Sequence, residues 1–195
     1  MIIKNNIHSS LTSKEVEEEL NRVVYRLKYK KILKSTIYSL IIIVAFAVLI
    51  ATFIMPVLEI NNSSMKPNLF DSDIVLSVKK KKFKNGDVIA FYHGNKILVK
   101  RVIANAGSWV SIDNEGNVYV DNILLEEPYL VEKSFGESNI DFPYQVPDGS
   151  YFVLSDERDN SLDSRNLDIG CVSNDNVIGK IVFRIWPLDK FGFTG

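Results

Sequence analysis

Ile97–Ala104 reads ILVKRVIA, an apolar, β-branched run broken only by Lys100 and Arg101. That composition is the composition of a strand. In a strand successive side chains leave on opposite faces, so the two cations cannot share one. One of them therefore points into the protein, unless the strand lies at a sheet edge with both heads in solvent. A buried cation needs a partner or must give up its proton. Lysine can do the second and arginine cannot.

Outward from this run the same composition recurs. Asp73–Val78 (DIVLSV), Asp87–Tyr92 (DVIAFY), Asn117–Val120 (NVYV), Tyr151–Leu154 (YFVL) and Val177–Trp186 (VIGKIVFRIW) all read as strands. Asn85-Gly86, His93-Gly94-Asn95, Asn114-Glu115-Gly116 and Asp148-Gly149 punctuate them as turns. The basic run Lys79–Lys82 with Lys84 reads as a solvated loop between strands. Residues 57–195 are thus expected to form one compact, mostly antiparallel β domain.

Before Pro56 the pattern is different. Ile37–Met55 is uncharged and apolar apart from Tyr38, Ser39 and Thr52. As a helix it would be roughly 28 Å long, close to the ~30 Å core of a bilayer. It shows no amphipathic period, and no small-residue cleavage site follows it, so residues 36–56 read as a permanent transmembrane anchor rather than a signal peptide. Arg22, Arg26, Lys28, Lys30, Lys31 and Lys34 precede it, while Glu59, Asp71 and Asp73 outnumber Lys66 just beyond it. This bias predicts a single-pass protein of the cell membrane, with a cytoplasmic N-terminus and residues 57–195 outside. Residues 1–35 form the cytoplasmic segment. A helix over 12–34 is expected there, from the capping-box spacing of Thr12 and Glu15 and the helical recurrence of Val16, Leu20, Val23, Val24 and Leu27.

Composition excludes several chemistries. The 23 Lys and Arg against 24 Asp and Glu give no global charge for nucleic acid. A lone cysteine, Cys171, allows no intrachain disulfide. Two histidines, His8 and His93, are a poor basis for a zinc site or a Ser-His-Asp triad. No metal or cofactor is expected. A serine nucleophile in such a chain needs another base, and a desolvated lysine is the natural one. Free lysine titrates near 10.4, whereas an effective base sits near 7–8. Burial in ILVKRVIA would move Lys100 in that direction. Two polar clusters accompany it: Asn62-Ser63-Ser64-Met65-Lys66-Pro67-Asn68-Leu69 beyond the anchor, and Ser155–Arg165 (SDERDNSLDSR) after the strand YFVL.

Four ordered blocks after an N-terminal anchor resemble the type I signal peptidases, of the short single-anchor sort found in Gram-positive bacteria. SSMKPNL resembles the family's nucleophile box S-G-S-M-x-P-T-L, and GDVIAF the G-D-x-V-x-F strand. ILVKRVIANAG resembles the lysine box, and SDERDNSLDSR the box G-D-N-R-x-x-S-x-D-S-R. The resemblance implies an all-β catalytic domain and a serine endopeptidase that removes signal peptides from exported preproteins, with the lipid bilayer as its setting. It implies Ser64 as nucleophile, Lys100 as general base and Ser161 as the residue orienting the lysine amine. Arg101, Asp156, Asp163 and Arg165 align with ion-pairing supports. Leu58, Ile60, Met65, Leu69, Leu98 and Val99 align with the walls of the small-residue substrate pockets. Asn62 stands where a serine hydroxyl often completes the oxyanion hole, and its side-chain amide is a substitute donor. Asn62 and Ser63 replace Ser-Gly, Asn68 replaces Thr, and Ser155 and Glu157 replace Gly and Asn. Those departures leave a second reading: a divergent, catalytically weak homologue acting as an assembly factor or chaperone for a surface protein such as a pilin. A self-cleaving regulatory domain is a third, but no internal cleavage site or DNA-binding domain is evident.

Overall fold

A computed structural model describes residues 13–159 and 162–194. Thr12, half of the expected capping box, and Ser161, the expected lysine partner, lie outside the described residues.

The expected cytoplasmic helix and the anchor are one helix. α1 (Ser13–Ile54) runs unbroken for 42 residues. It contains neither Gly nor Pro, so nothing interrupts it before Pro56, which cannot continue a helix. Its Lys14–Leu49 stretch holds a window long and apolar enough to cross a membrane, with none of that window buried. Leu40, Ile41, Ile42, Ile43, Val44 and Phe46 are all exposed. A helix that is apolar all round needs an apolar solvent rather than one packed face. Its N-terminal half is polar, with a solvent-exposed Glu19–Arg22 ion pair.

The β domain is built from twelve short strands: β1 (Val57–Glu59), β2 (Ile74–Val78), β3 (Val88–His93), β4 (Lys96–Asn105), β5 (Trp109–Ile112), β6 (Val118–Val120), β7 (Ile123–Leu124), β8 (Tyr144–Gln145), β9 (Ser150–Leu154), β10 (Val172–Ser173), β11 (Val177–Trp186) and β12 (Gly192–Phe193). One sheet has the order β1-β2-β11-β3-β4-β9-β10, with β12 also on β11; the other has the order β7-β6-β5-β8. Every pairing is antiparallel.

β4 lies between β3 and β9, not at an edge. Apolar clusters cover both of its faces. Val99 packs with Ile60, Met65, Leu69, Val75, Val88, Ala90 and Ile181. On the other face Val102 packs with Phe83, Ile89, Phe91, Tyr151, Val153 and Val172, with Leu98 alongside. Consequently both cations are buried, Lys100 at 2% and Arg101 at 3% exposure. The expectation of one inward cation is corrected: alternation separates the two, and a covered face receives each.

Candidate active site

The β1–β2 connection carries Ser64. Lys66 N–H donates to the Ser63 carbonyl, and Asn68 and Leu69 N–H donate to the Met65 carbonyl, winding the segment into tight turns. Met65 and Leu69 plug into the core beneath, and Lys66 between them is exposed. Ser63 is exposed and Ser64 half-buried. From the far side, Glu157 N–H donates to the Ser64 carbonyl at 2.9 Å, tying the Ser64 loop to the segment after β9.

Lys100 comes from the middle of β4. Its Nζ donates to Ser64 Oγ at 2.7 Å and to Ser155 Oγ at 2.8 Å. Burial pushes its pKa from 10.5 down to about 8; Asp163 opposes the fall, Arg165 adds to it and Asp156 opposes it. Ser64 Oγ–H in turn donates to Asn62 Oδ1 at 2.8 Å, and Ser64 N–H reaches the same oxygen at 3.2 Å. Asn62 therefore lies at Ser64 but turns its carbonyl, not its amide nitrogen, toward it.

Around this pair stands a frame of buried ion pairs. Arg101 grips both oxygens of Asp156, at 2.8 and 2.6 Å, donates to the Gly86 carbonyl, and lies 3.9 Å over the Tyr129 ring. Asn68 Nδ2 donates to Asp156 Oδ2 at 2.7 Å and to the Tyr129 carbonyl. Asn68 thus bonds to the frame, and not merely to its own loop. Arg165 grips both oxygens of Asp163 at 2.9 Å and donates to the carbonyls of Phe135 and Arg158. Asp163 also accepts the Ser155 N–H at 3.0 Å. Bidentate geometry with both carboxylate oxygens engaged is the arrangement in which buried charges are tolerated.

Ser64, Lys100, Asn62 and Leu98 share one groove of about 750 Å³, whose lining also includes His93, Lys96, Glu157 and Asp168. Ile60, Met65, Leu69 and Val99 lie behind it as core residues, and Leu58 packs at the edge of that core. Among the described residues no cluster of His, Cys, Asp or Glu has the makings of a metal site. Cys171 is half-buried and burial pushes its thiol up to about 11, away from reactivity.

Sequence reasoning missed two features. Ser155 reads only as a replacement of the family's glycine, yet it is a hydrogen-bond partner of the Lys100 amine. The buried Arg158–Glu127 pair was not foreseen; an arginine in a polar loop and a glutamate 31 residues earlier carry no local sign of pairing.

The site has relatives. The family described as "Signal peptidase, peptidase S26" matches residues 33–186. Signal peptidase I U of Bacillus subtilis is 36% identical over 184 residues, covering 88% of this chain and 97% of that protein. Signal peptidase I of Bacillus amyloliquefaciens is 32% identical, covering 80% of this chain and 89% of that one. A crystal structure of a signal peptidase I from Enterococcus faecalis is 28% identical, with a TM-score of 0.45 over 52% of this chain and 98% of that one. With β1 to β11 and its four sequence blocks inside the matched span, the chain belongs to the signal peptidase family, peptidase S26, a family of serine endopeptidases.

Proposed function

We propose that the chain cleaves signal peptides from exported preproteins with Ser64 as nucleophile and Lys100 as general base. The carrying observation is the 2.7 Å contact between a buried Lys100 Nζ and Ser64 Oγ. With its pKa near 8, the amine is neutral in a useful fraction at mildly alkaline pH. In the resting arrangement Lys100 donates to Ser64, and Ser64 donates to Asn62 Oδ1. Entry of the scissile carbonyl displaces the Asn62 oxygen, which frees both the Ser64 N–H and the Ser64 O–H. The hydroxyl proton then passes to neutral Nζ as Oγ bonds to the carbonyl carbon. The oxyanion takes the Ser64 N–H, and the Asn62 amide is the second donor once its side chain turns over. Lys100 returns the proton to the leaving amine, and water, deprotonated by the same amine, releases the acyl group.

Arg101, Asp156, Asp163 and Arg165 tie β4 to the segment after β9 around the pair; Ser161 keeps the role the family resemblance gives it. Leu98 is a wall of the groove, with Ile60, Met65, Leu69, Val99 and Leu58 shaping it from behind. We take residues 1–35 as the cytoplasmic segment, 36–56 as the anchor and 57–195 as the extracytoplasmic catalytic domain. The basic flank before the apolar stretch supports that orientation. The intact Ser64–Lys100 contact stands against the assembly-factor reading.

The dyad is tested with full-length protein in detergent and a signal-peptide substrate. Ser64→Ala and Lys100→Ala should each abolish cleavage while the β domain still melts cooperatively, and the double variant should be no worse than either, because the two act as a unit. Activity in Ser64→Ala together with loss in Ser63→Ala would reassign the nucleophile.

A further inference from the structure

We propose that Ser155 is a positioning residue for the general base, its hydroxyl holding the Lys100 amine against Ser64. The proposal rests on the Ser64–Lys100 reading above.

Strand register puts the two residues together. Arg101 pairs with Leu154 and Val102 with Val153 across β4 and β9. One step further along the same antiparallel pair, Ser155 lies opposite Lys100. Facing side chains in such a pair start only ~5 Å apart at Cβ. Ser155 is fully buried, and its backbone is fixed at both ends. Its N–H donates to Asp163 Oδ2 at 3.0 Å, and its carbonyl accepts from Arg158 Nε at 2.9 Å. The hydroxyl is therefore carried on the most constrained backbone of the site, and it meets Nζ at 2.8 Å.

A lysine needs this help. Its ammonium is a compact head on a flexible four-carbon stem. Among the described residues, Nζ has two partners, Ser64 Oγ and Ser155 Oγ. The first is consumed by the reaction: once Ser64 Oγ is acylated it is an ester oxygen, a poor acceptor that moves with the substrate. The same amine must then deprotonate water at the same place. Ser155 is unchanged throughout, so it keeps the base in register for the second half of the cycle. A hydroxyl suits this role because it accepts an N–H from either protonation state of the amine, leaving the neutral form's lone pair directed at Ser64 or at water.

The experiment is the pH dependence of cleavage by full-length Ser155→Ala and Ser155→Gly, beside Ser64→Ala and Lys100→Met. Misplacing a catalytic group by about 1 Å costs up to about 10²-fold. We expect kcat to fall about 10- to 100-fold with KM nearly unchanged. The acid limb of kcat/KM should also move to lower pH, because Ser155 accepts from the charged amine and so favours that form. Rates are expressed per folded enzyme, with the folded fraction read at each pH from tertiary-structure circular dichroism, so the position of the limb is read even if a variant is unstable. Wild-type kcat, or a loss of activity with the acid limb unmoved, overturns the proposal and makes Ser155 a packing residue. If either of those results occurs while Ser64→Ala and Lys100→Met are dead, the dyad stands and only this inference falls. If Lys100→Met remains active, the dyad reading falls first.

Discussion

Asn62 Oδ1 holds the Ser64 hydroxyl and the Ser64 N–H at 2.8 and 3.2 Å, the two groups an incoming scissile carbonyl needs free. An amide is suited to this double duty, since one side chain carries an acceptor and two donors. As an acceptor it keeps the nucleophile's proton away from the lysine at rest. Turned over, it places an N–H at the developing oxyanion. Removing one such donor costs about 10²–10³ in kcat, so Asn62→Ala should fall by that factor with KM little changed. Asn62→Ser should recover much of the loss. Asn62→Asp keeps the resting acceptor but cannot donate and sets a negative charge beside the oxyanion; steady-state kinetics should find it no better than Ala. An Asn62→Asp enzyme close to wild type would confine the residue to loop structure. That Asn62 lies beside Ser64 was legible from the sequence, because it stands two residues before it in a recognisable block. The direction its amide faces was not, since that depends on which of two nearly isosteric ends meets Ser64.

The strands of the catalytic domain were largely legible because they are buried and β-branched. VIGKIVFRIW is read from composition with the same ends that β11 shows, and ILVKRVIA extends by one residue at each side to become β4. β5, WVSI, escaped, as did β7, β8, β10 and β12; strands of two to four residues are too short for alternation to show. Register escaped as well, and with it Ser155. Nothing in YFVL or ILVKRVIA states which residues face each other; the packing of both sheet faces decides it. α1 was read as two pieces because its polar half and its apolar half differ in composition, yet no helix breaker separates them. Its charge asymmetry carries a prediction about topology. Protease added to intact spheroplasts should digest the β domain and leave a protected N-terminal fragment carrying Arg22–Lys34. Protection of the C-terminal part would reverse the orientation.

Stability of the whole molecule should depend on pH through Lys100. Its folded pKa of about 8 lies below its free value of 10.5. Between those values the unfolded chain binds more protons, so stability rises with pH across that window. Below pH 8 the charged, buried amine destabilises the fold by about 3 kcal/mol. Lys100→Met removes that cost but orphans the Ser155 hydroxyl, worth about 1–2 kcal/mol. The variant should therefore melt higher than wild type at pH 7, with the advantage fading toward pH 10; an equal or lower Tm at pH 7 would show that burial is not what lowers the lysine. The ion pairs around the site are built differently. Arg101–Asp156, Arg165–Asp163 and Arg158–Glu127 each draw their positive charge from a guanidinium, a planar fork of donors where a lysine would bring a compact point charge on a flexible stem. A lysine in any of those places would give up the fork and hold its carboxylate through a turning stem, and the wall would lose its orientation. With arginines there, the masonry keeps its angles, and the charge that burial makes easy to shed belongs to the lysine it surrounds.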